Sequence, residues 1–349
     1  MTTLVKQLES AQRLLLQASL TPVQGDRFQP TGFPDIGPAN YTLADGTEML
    51  LVESAQSMAN RLESVIWDVA AQDVVAPLKG LPFIVAELPD GDHTTSLQEA
   101  HRLNSPYFLV SDEKEAPLQV MLKKETGYAR GRSVDRPKFA RFLFGHDTDT
   151  LLHGVFMSNI EDGRLRLPRA LSSFVEARDV RVASSGGVKN DVIDPSGNTK
   201  NGFGNVPFHR TEFVAGSITA YFNLDLAQLR GYGLGDTAFE LLVALALYKI
   251  QLLLNSGMRL RTACDLVPGN VVVTAPIGFI MPQVPELEAA LRELITRSTT
   301  EKLFANPPVT KLIVSAKALN TKKKTEDAKK KEAAGETDDE QTTGESPAQ

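Results

Sequence analysis

The chain has 349 residues, 42% of them hydrophobic, with 37 Lys and Arg against 43 Asp and Glu for a formal net charge of −6. That is enough apolar material for one large domain or two ordinary ones, and the acidic balance argues against a protein that coats nucleic acid with its whole surface. The lone cysteine, Cys264, excludes an intramolecular disulfide and an all-cysteine metal site. The most apolar stretch, Phe239 to Leu254, is interrupted by Glu240, Lys249 and Gln251, and the N-terminus lacks a charged segment leading into an apolar one. The expectation is therefore a cytoplasmic protein with no membrane contact.

Taken in chain order, Arg13 to Leu20 alternates Leu14, Leu16, Ala18 and Leu20 on one side, a strand pattern stopped by Pro22. A turn-rich segment follows, Arg27-Phe28-Gln29-Pro30-Thr31-Gly32-Phe33-Pro34-Asp35. A helix is expected over about 50–67, with Leu51, Ala55, Met58, Leu62 and Ile66 as its apolar stripe. Its other face, Glu53, Gln56, Ser57, Asn60, Arg61 and Ser64, is rich in short hydrogen-bonding groups. Such a face suits contact with a polar ligand, or is simply a polar surface. Beyond a long insertion over 68–150, strands are expected at Leu151 to Ser158 and Ser217 to Leu224. A long apolar helix from Asp236 to Leu254 precedes further strands at Asn270 to Ala275 and Val309 to Ala316. The order β-α-β-β-α-β is the ferredoxin-like or RNA-recognition-motif arrangement in an α+β chain, here with large insertions at about 22–48, 68–150 and 160–216. From Thr321 onward hardly any residue is apolar, so 321–349 is expected to be a disordered tail on a single domain of residues 1–320.

Charge is unevenly spread. Lys123 to Arg141 holds seven cations against two carboxylates, and Arg164 to Lys189 holds six against two. Basic loops on an acidic body point to a localised anion-binding track, the alternative being scattered solubilising charge. Within the third insertion Ser184-Ser185-Gly186-Gly187-Val188-Lys189-Asn190-Asp191 leads to Asn201-Gly202-Phe203-Gly204-Asn205, a run of turn formers held at both ends by strands. It reads as a finger that orders on a partner, or as a plain surface loop.

Enzyme signatures are thin. His146-Asp147 with Asp149 lacks the further ligands a metal site needs. Ser184 to Gly187 lacks the Gly-Lys-Ser/Thr ending of a phosphate-cradling loop, and no nucleophile elbow is present. Asp191 and Asp194 sit among turn formers. The aromatic motif by which RNA-recognition sheets stack bases is missing, and Phe156, Tyr221 and Phe222 read as core. No catalytic residue, metal or cofactor is implied.

The block Arg27 to Asp35 together with Leu51-Val52-Glu53-Ser54-Ala55-Gln56-Ser57-Met58-Ala59-Asn60-Arg61-Leu62-Glu63 closely resembles the backbone subunit of CRISPR surveillance complexes, the RAMP-superfamily protein of subtype I-G (formerly I-U). The likeness covers roughly residues 10 to 320, and Phe213 to Asn223 resembles the strand that follows the thumb in such proteins. The resemblance implies a hand: an RNA-recognition-motif palm, a finger region in 68–150 and a thumb over 184–212. It implies a non-catalytic subunit that polymerises head to tail along the crRNA and presents it to target DNA, beside a large subunit and a guide-end-capping subunit. Carried over, Arg27, Phe28, Gln29, Thr31, Gln56, Ser57, Asn60 and Arg61 grip the guide backbone, with Lys189 and Asn190 on the thumb and Val188, Val192, Ile193 or Phe203 as its wedge. Relatives carry a glycine-rich loop after the second helix where this chain has only Gly257, leaving Arg259 and Arg261 to serve there. The alternative is a metal-dependent nuclease or RNA-processing enzyme using His146/Asp147 or the thumb aspartates.

Overall fold

The computed structural model describes residues 6–33, 37–89, 91–111 and 115–314. The tail expected from residue 321 lies outside the described residues, as do Pro34 and Asp35. The chain is mixed α and β. Strand β1 (Arg13–Pro22) buries Leu14, Leu16, Ala18 and Leu20 and turns Gln17 and Ser19 outward, as its alternation predicts. β2 (Glu48–Glu53) leads directly into helix α1 (Ala55–Ser64). β3 (Phe83–Glu87), α2 (Pro117–Thr126) and α3 (Arg136–His146) occupy the span 68–150. Then come β4 (Leu171–Arg178), the hairpin strands β5 (Arg181–Lys189) and β6 (Val206–Val214), and β7 (Ser217–Asp225). Helix α4 (Asp236–Asn255), β8 (Cys264–Ala275), α5 (Val284–Thr300) and β9 (Val309–Ile313) complete the described chain.

The main sheet runs in the order Arg259–Arg261, β8, β1, β7, β4, β2, Asn40–Thr42, and its neighbours are antiparallel throughout. Register places Leu16 opposite Phe222 and Val175 opposite Ala220, so the buried residues of the central strands fall on one face. Helices α1 and α4 cover that face and touch each other. α4 is apolar almost all round because α5 packs on its far side through Leu287, Leu291 and Leu294. Its length and composition would pass for a membrane span, but it is the buried core helix. The opposite sheet face carries Gln17, Thr219, Asn223 and a stacked pair, Phe174 and Tyr221, with ring centroids 5.1 Å apart.

Four expectations need correction. The helix expected from about 50 begins at Ala55. Met49 to Val52 is a strand because both of its faces are covered, and Ser54 caps the helix by accepting from the Ser57 N–H. The strand expected at Leu151 to Ser158 is a helical turn, Thr150–His153, and a two-residue bridge, Val155–Phe156. The second central strand is instead β4, whose period-two pattern (Leu171, Ser173, Val175 and Ala177 inward) lies inside the stretch read as an insertion. Finally β9 does not join the main sheet: it pairs in parallel with β3, which also pairs with His93–Thr95. The last strand of the main layer is β8.

Candidate nucleic-acid interface

One rim of the sheet is organised around a buried carboxylate. Glu53, at the end of β2, is 1% exposed and accepts from the guanidiniums of both Arg61 and Arg261. The sequence reading placed Glu53 on the polar face of a helix. It sits in the strand instead, beneath that helix. Arg61 also donates to the Arg259 carbonyl at 3.2 Å and to that of Leu260. Arg261 donates to the carbonyls of Gln29 at 3.1 Å and Val52 at 3.0 Å. Backbone bonds tie the same segments: Gln29 N–H to Ala263 O, Thr31 N–H to Val52 O, and a reciprocal pair between Phe28 and Phe213. Phe28 is a fully buried plug. The loop 27–31, the helix α1 and the Arg259–Arg261 strand therefore form one assembled corner.

That geometry divides the predicted residues. Arg61 and Arg261 are largely occupied by Glu53 and carbonyls, which fixes their guanidiniums and neutralises a buried charge. Arg27, Gln56, Asn60 and Arg259 project to solvent, with Ser57 half-buried between them. Arg27 lies 3.7 Å from Glu212 and Arg259 3.4 Å from Asp265, both loose pairs with exposed cations. Gln56 bonds Asn60 along the helix and also accepts from Arg169. Lys189 and Asn190 are exposed but stand away from this corner, on the hairpin.

The hairpin β5–β6 pairs nine residues on each strand, from Arg181 opposite Val214 to Lys189 opposite Val206. Its tip is folded by one side chain. Asp191 accepts from the N–H groups of Ile193, Asp194 and Gly204, and its own N–H donates to Asn205. These backbone donors, that of Asp194 first, hold its carboxyl below the usual range. Gly197 and Gly204 pass so close that a Cβ at Gly204 would meet the Gly197 carbonyl oxygen at 2.3 Å. The tip presents Val192 at 92% and Ile193 at 96% exposure, with Phe203 and Val188 about half exposed. Side chains this apolar and this exposed on an ordered hairpin mark a contact surface.

The residues of the metal reading have other occupations. His146 meets Glu125 at 3.0 Å and Thr310 at 3.2 Å. Asp147 accepts from Thr150 at 2.6 Å, deep inside, where burial pushes its carboxyl up to about 7. Asp149 accepts from the fully buried Lys249, whose ammonium also lies 2.7 Å from His153 Nε2. Burial and the neighbouring Lys249 keep His153 well below the ordinary histidine range, hence neutral. Glu63 accepts a fork from Arg102, 2.7 Å on one arm. Among the described residues no group of three potential ligands is placed to hold a metal ion.

Sequence reasoning missed two features. Phe156, read as core, is 53% exposed, because its bridge with Arg166 ends at the surface. Tyr221 is half-buried on the open sheet face, stacked on Phe174. The alternation of Leu171 to Arg178 carries the signal that would have found that pair.

Residues 14–182 match the family model described as CRISPR-associated protein GSU0053. This match agrees with the resemblance to CRISPR-associated proteins read from the sequence; it runs from β1 into the foot of the hairpin and includes loop 27–31, Glu53 and α1. No curated protein matches the chain. Among solved structures, it is similar to a chain of a "CRISPR RNA-guided surveillance complex, pre-nicking" at 14% identity and TM-score 0.39, covering 83% of this chain and 89% of that one. A second, from a "CRISPR RNA-guided surveillance complex", has 15% identity and TM-score 0.33 over 83% of each chain. A third, Thermofilum pendens Csc2, has 12% identity and TM-score 0.29, covering 83% of this chain and 76% of that one.

Proposed function

We propose that this protein is a non-catalytic, crRNA-binding backbone subunit of a type I CRISPR surveillance complex of subtype I-G, working in the cytoplasm. The observation that carries the proposal is that the family match spans the corner where loop 27–31 and α1 meet. The strand order β8-β1-β7-β4, with α1 and α4 on one face, supports reading the central layer as a ferredoxin-like palm. Arg27, Gln29, Thr31, Gln56, Ser57 and Asn60 offer donors to phosphates and sugars, contacts that carry no base information and so accept any guide. Arg61 and Arg261 hold this surface in place. The exposed tip of β5–β6 serves as the thumb, packing Val192 and Ile193 against the guide or the next copy in a head-to-tail filament. Target DNA pairs with the guide, and a large subunit and a guide-end-capping subunit complete the particle.

Co-expression with a matching repeat array is expected to yield protein carrying RNA of one size class, with subunits at a constant interval in particle images. Recovery of RNA-free monomer under those conditions overturns the proposal. A combined Arg27→Ala, Gln56→Ala and Asn60→Ala variant is expected to weaken binding about equally for unrelated guides. Loss that tracks guide sequence would contradict a backbone grip.

A further inference from the structure

A cleft of about 520 Å³ opens beside α1, between the start of α3 and the Val155–Phe156/Arg166–Leu167 bridge. Four guanidiniums gather there: Arg102, Arg136, Arg166 and Arg169, from three separate segments, with no carboxylate among the lining residues. Arg102 is held by Glu63 and Arg169 by Gln56. Arg136 and Arg166 are exposed, and their guanidiniums have no partner among the described residues. Both basic stretches of the sequence converge here, Arg136 from the first and Arg166 and Arg169 from the second. Glu63 offsets the charge of Arg102, while Arg136, Arg166 and Arg169 meet no carboxylate in the cleft, so an anion entering it is favoured.

One further group narrows the choice of anion. Phe156 lines the cleft with its ring half exposed. His153 forms part of the wall, 1% exposed. Because the Lys249 ammonium donates to its Nε2, the neutral ring carries its hydrogen on Nδ1, which has no acceptor in the protein. Guanidinium forks match phosphate oxygens, and an exposed ring beside them offers a face to a base. An acidic protein surface would use the arginines and leave the ring idle.

We propose that this cleft is a second nucleic-acid site, in which Arg136 and Arg166 bind the phosphodiester backbone of a single strand and Phe156 stacks one of its bases. The contact between Arg169 and Gln56 makes the cleft continuous with the exposed face of α1. The strand is thus one that this face also engages, and to that extent the inference rests on the proposed guide-binding reading.

The test uses the full-length protein freed of nucleic acid and labelled single strands of about 12 nucleotides, one RNA and one DNA of equal sequence, across a salt series. Arg136→Ala with Arg166→Ala is expected to weaken binding about tenfold or more and to flatten the salt slope by about two. Phe156→Ala is expected to weaken it about tenfold with the slope unchanged. Arg136 and Arg166 are exposed and Phe156 is half exposed, so all variants are expected to stay folded, which their melting curves check. A loss confined to RNA assigns the cleft to the guide; a loss on both strands assigns it to a backbone site open to guide and target alike. The control pair Lys138→Ala with Arg141→Ala removes two exposed cations outside the cleft, and an equal loss there overturns the site in favour of diffuse attraction. Unchanged affinity in the cleft variants, while the Arg27/Gln56/Asn60 variant loses binding, overturns the cleft and leaves the guide-binding reading standing. A parent protein that binds neither strand overturns both.

Discussion

Glu53 shows how a residue at a candidate interface works without touching a ligand. Removing it strands two guanidiniums that are about one-quarter exposed, on side chains far apart in the sequence. Glu53→Ala is expected to cost about 2–4 kcal/mol, towards the lower end for a broken buried pair because both cations keep some water. An unchanged denaturant midpoint would show that the corner does not depend on this carboxylate. Asp147 makes a different prediction. Its folded pKa, about 7, lies above the ordinary aspartate range, so the folded state holds a proton that the unfolded chain gives up. Its contribution is complete below about pH 4 and is lost as pH rises towards 7. Asp147→Asn keeps the shape and removes the titration. Relative to the parent, that variant is expected to gain at least about 1 kcal/mol of stability between pH 5 and 7.5. Parallel pH profiles for parent and variant would refute the buried acid.

At the level of elements, the hairpin β5–β6 is separable from the core. Residues 190–205 bury almost nothing, and their order comes from Asp191 and from close glycine contacts. Replacing 190–205 with Asn-Gly, a two-residue turn suited to antiparallel strands, is expected to leave the melting temperature within about 3 °C while abolishing assembly on guide RNA. A truncated protein that still forms filaments would remove the hairpin from the function. The sequence marks this element by its turn formers, and its strand neighbour β7 by clean alternation. It misleads at β2, where a continuous apolar run fits a helix stripe and a doubly covered strand equally well. It misleads again at β4, hidden inside a basic, polar stretch, since a half-buried strand of Ser, Phe and Glu offers only weak contrast.

For the molecule as a whole, β1, β7 and the long helix α4 were legible because they rest on periodicity, which is local, whereas β4 and the pairing of β9 with β3 were not. The site was legible only in part. Arg27, Gln56 and Asn60 face solvent as their sequence context implied, but Arg61 and Arg261 are consumed by a carboxylate whose burial depends on pairing between β2 and β4. The arginine cleft could not be read at all, because it needs residues 102, 136, 166 and 169 brought together by the fold. What the linear charge count did reveal was an excess of cations with nowhere obvious to go.

The hairpin's root has a mechanical consequence. β4 runs into β5 and β6 returns into β7, and β4 and β7 are themselves neighbours, joined at the bend where the Gly216 N–H donates to the Arg178 carbonyl. A pull on the tip draws both strands the same way along their axes. The bonds that resist are those to β1 and β2 on either side, and they are strained in shear, so they must fail together instead of opening one at a time from an end. A projection that looks detachable is thus anchored in the central strands of the main sheet, and tension on it is shared across four strands.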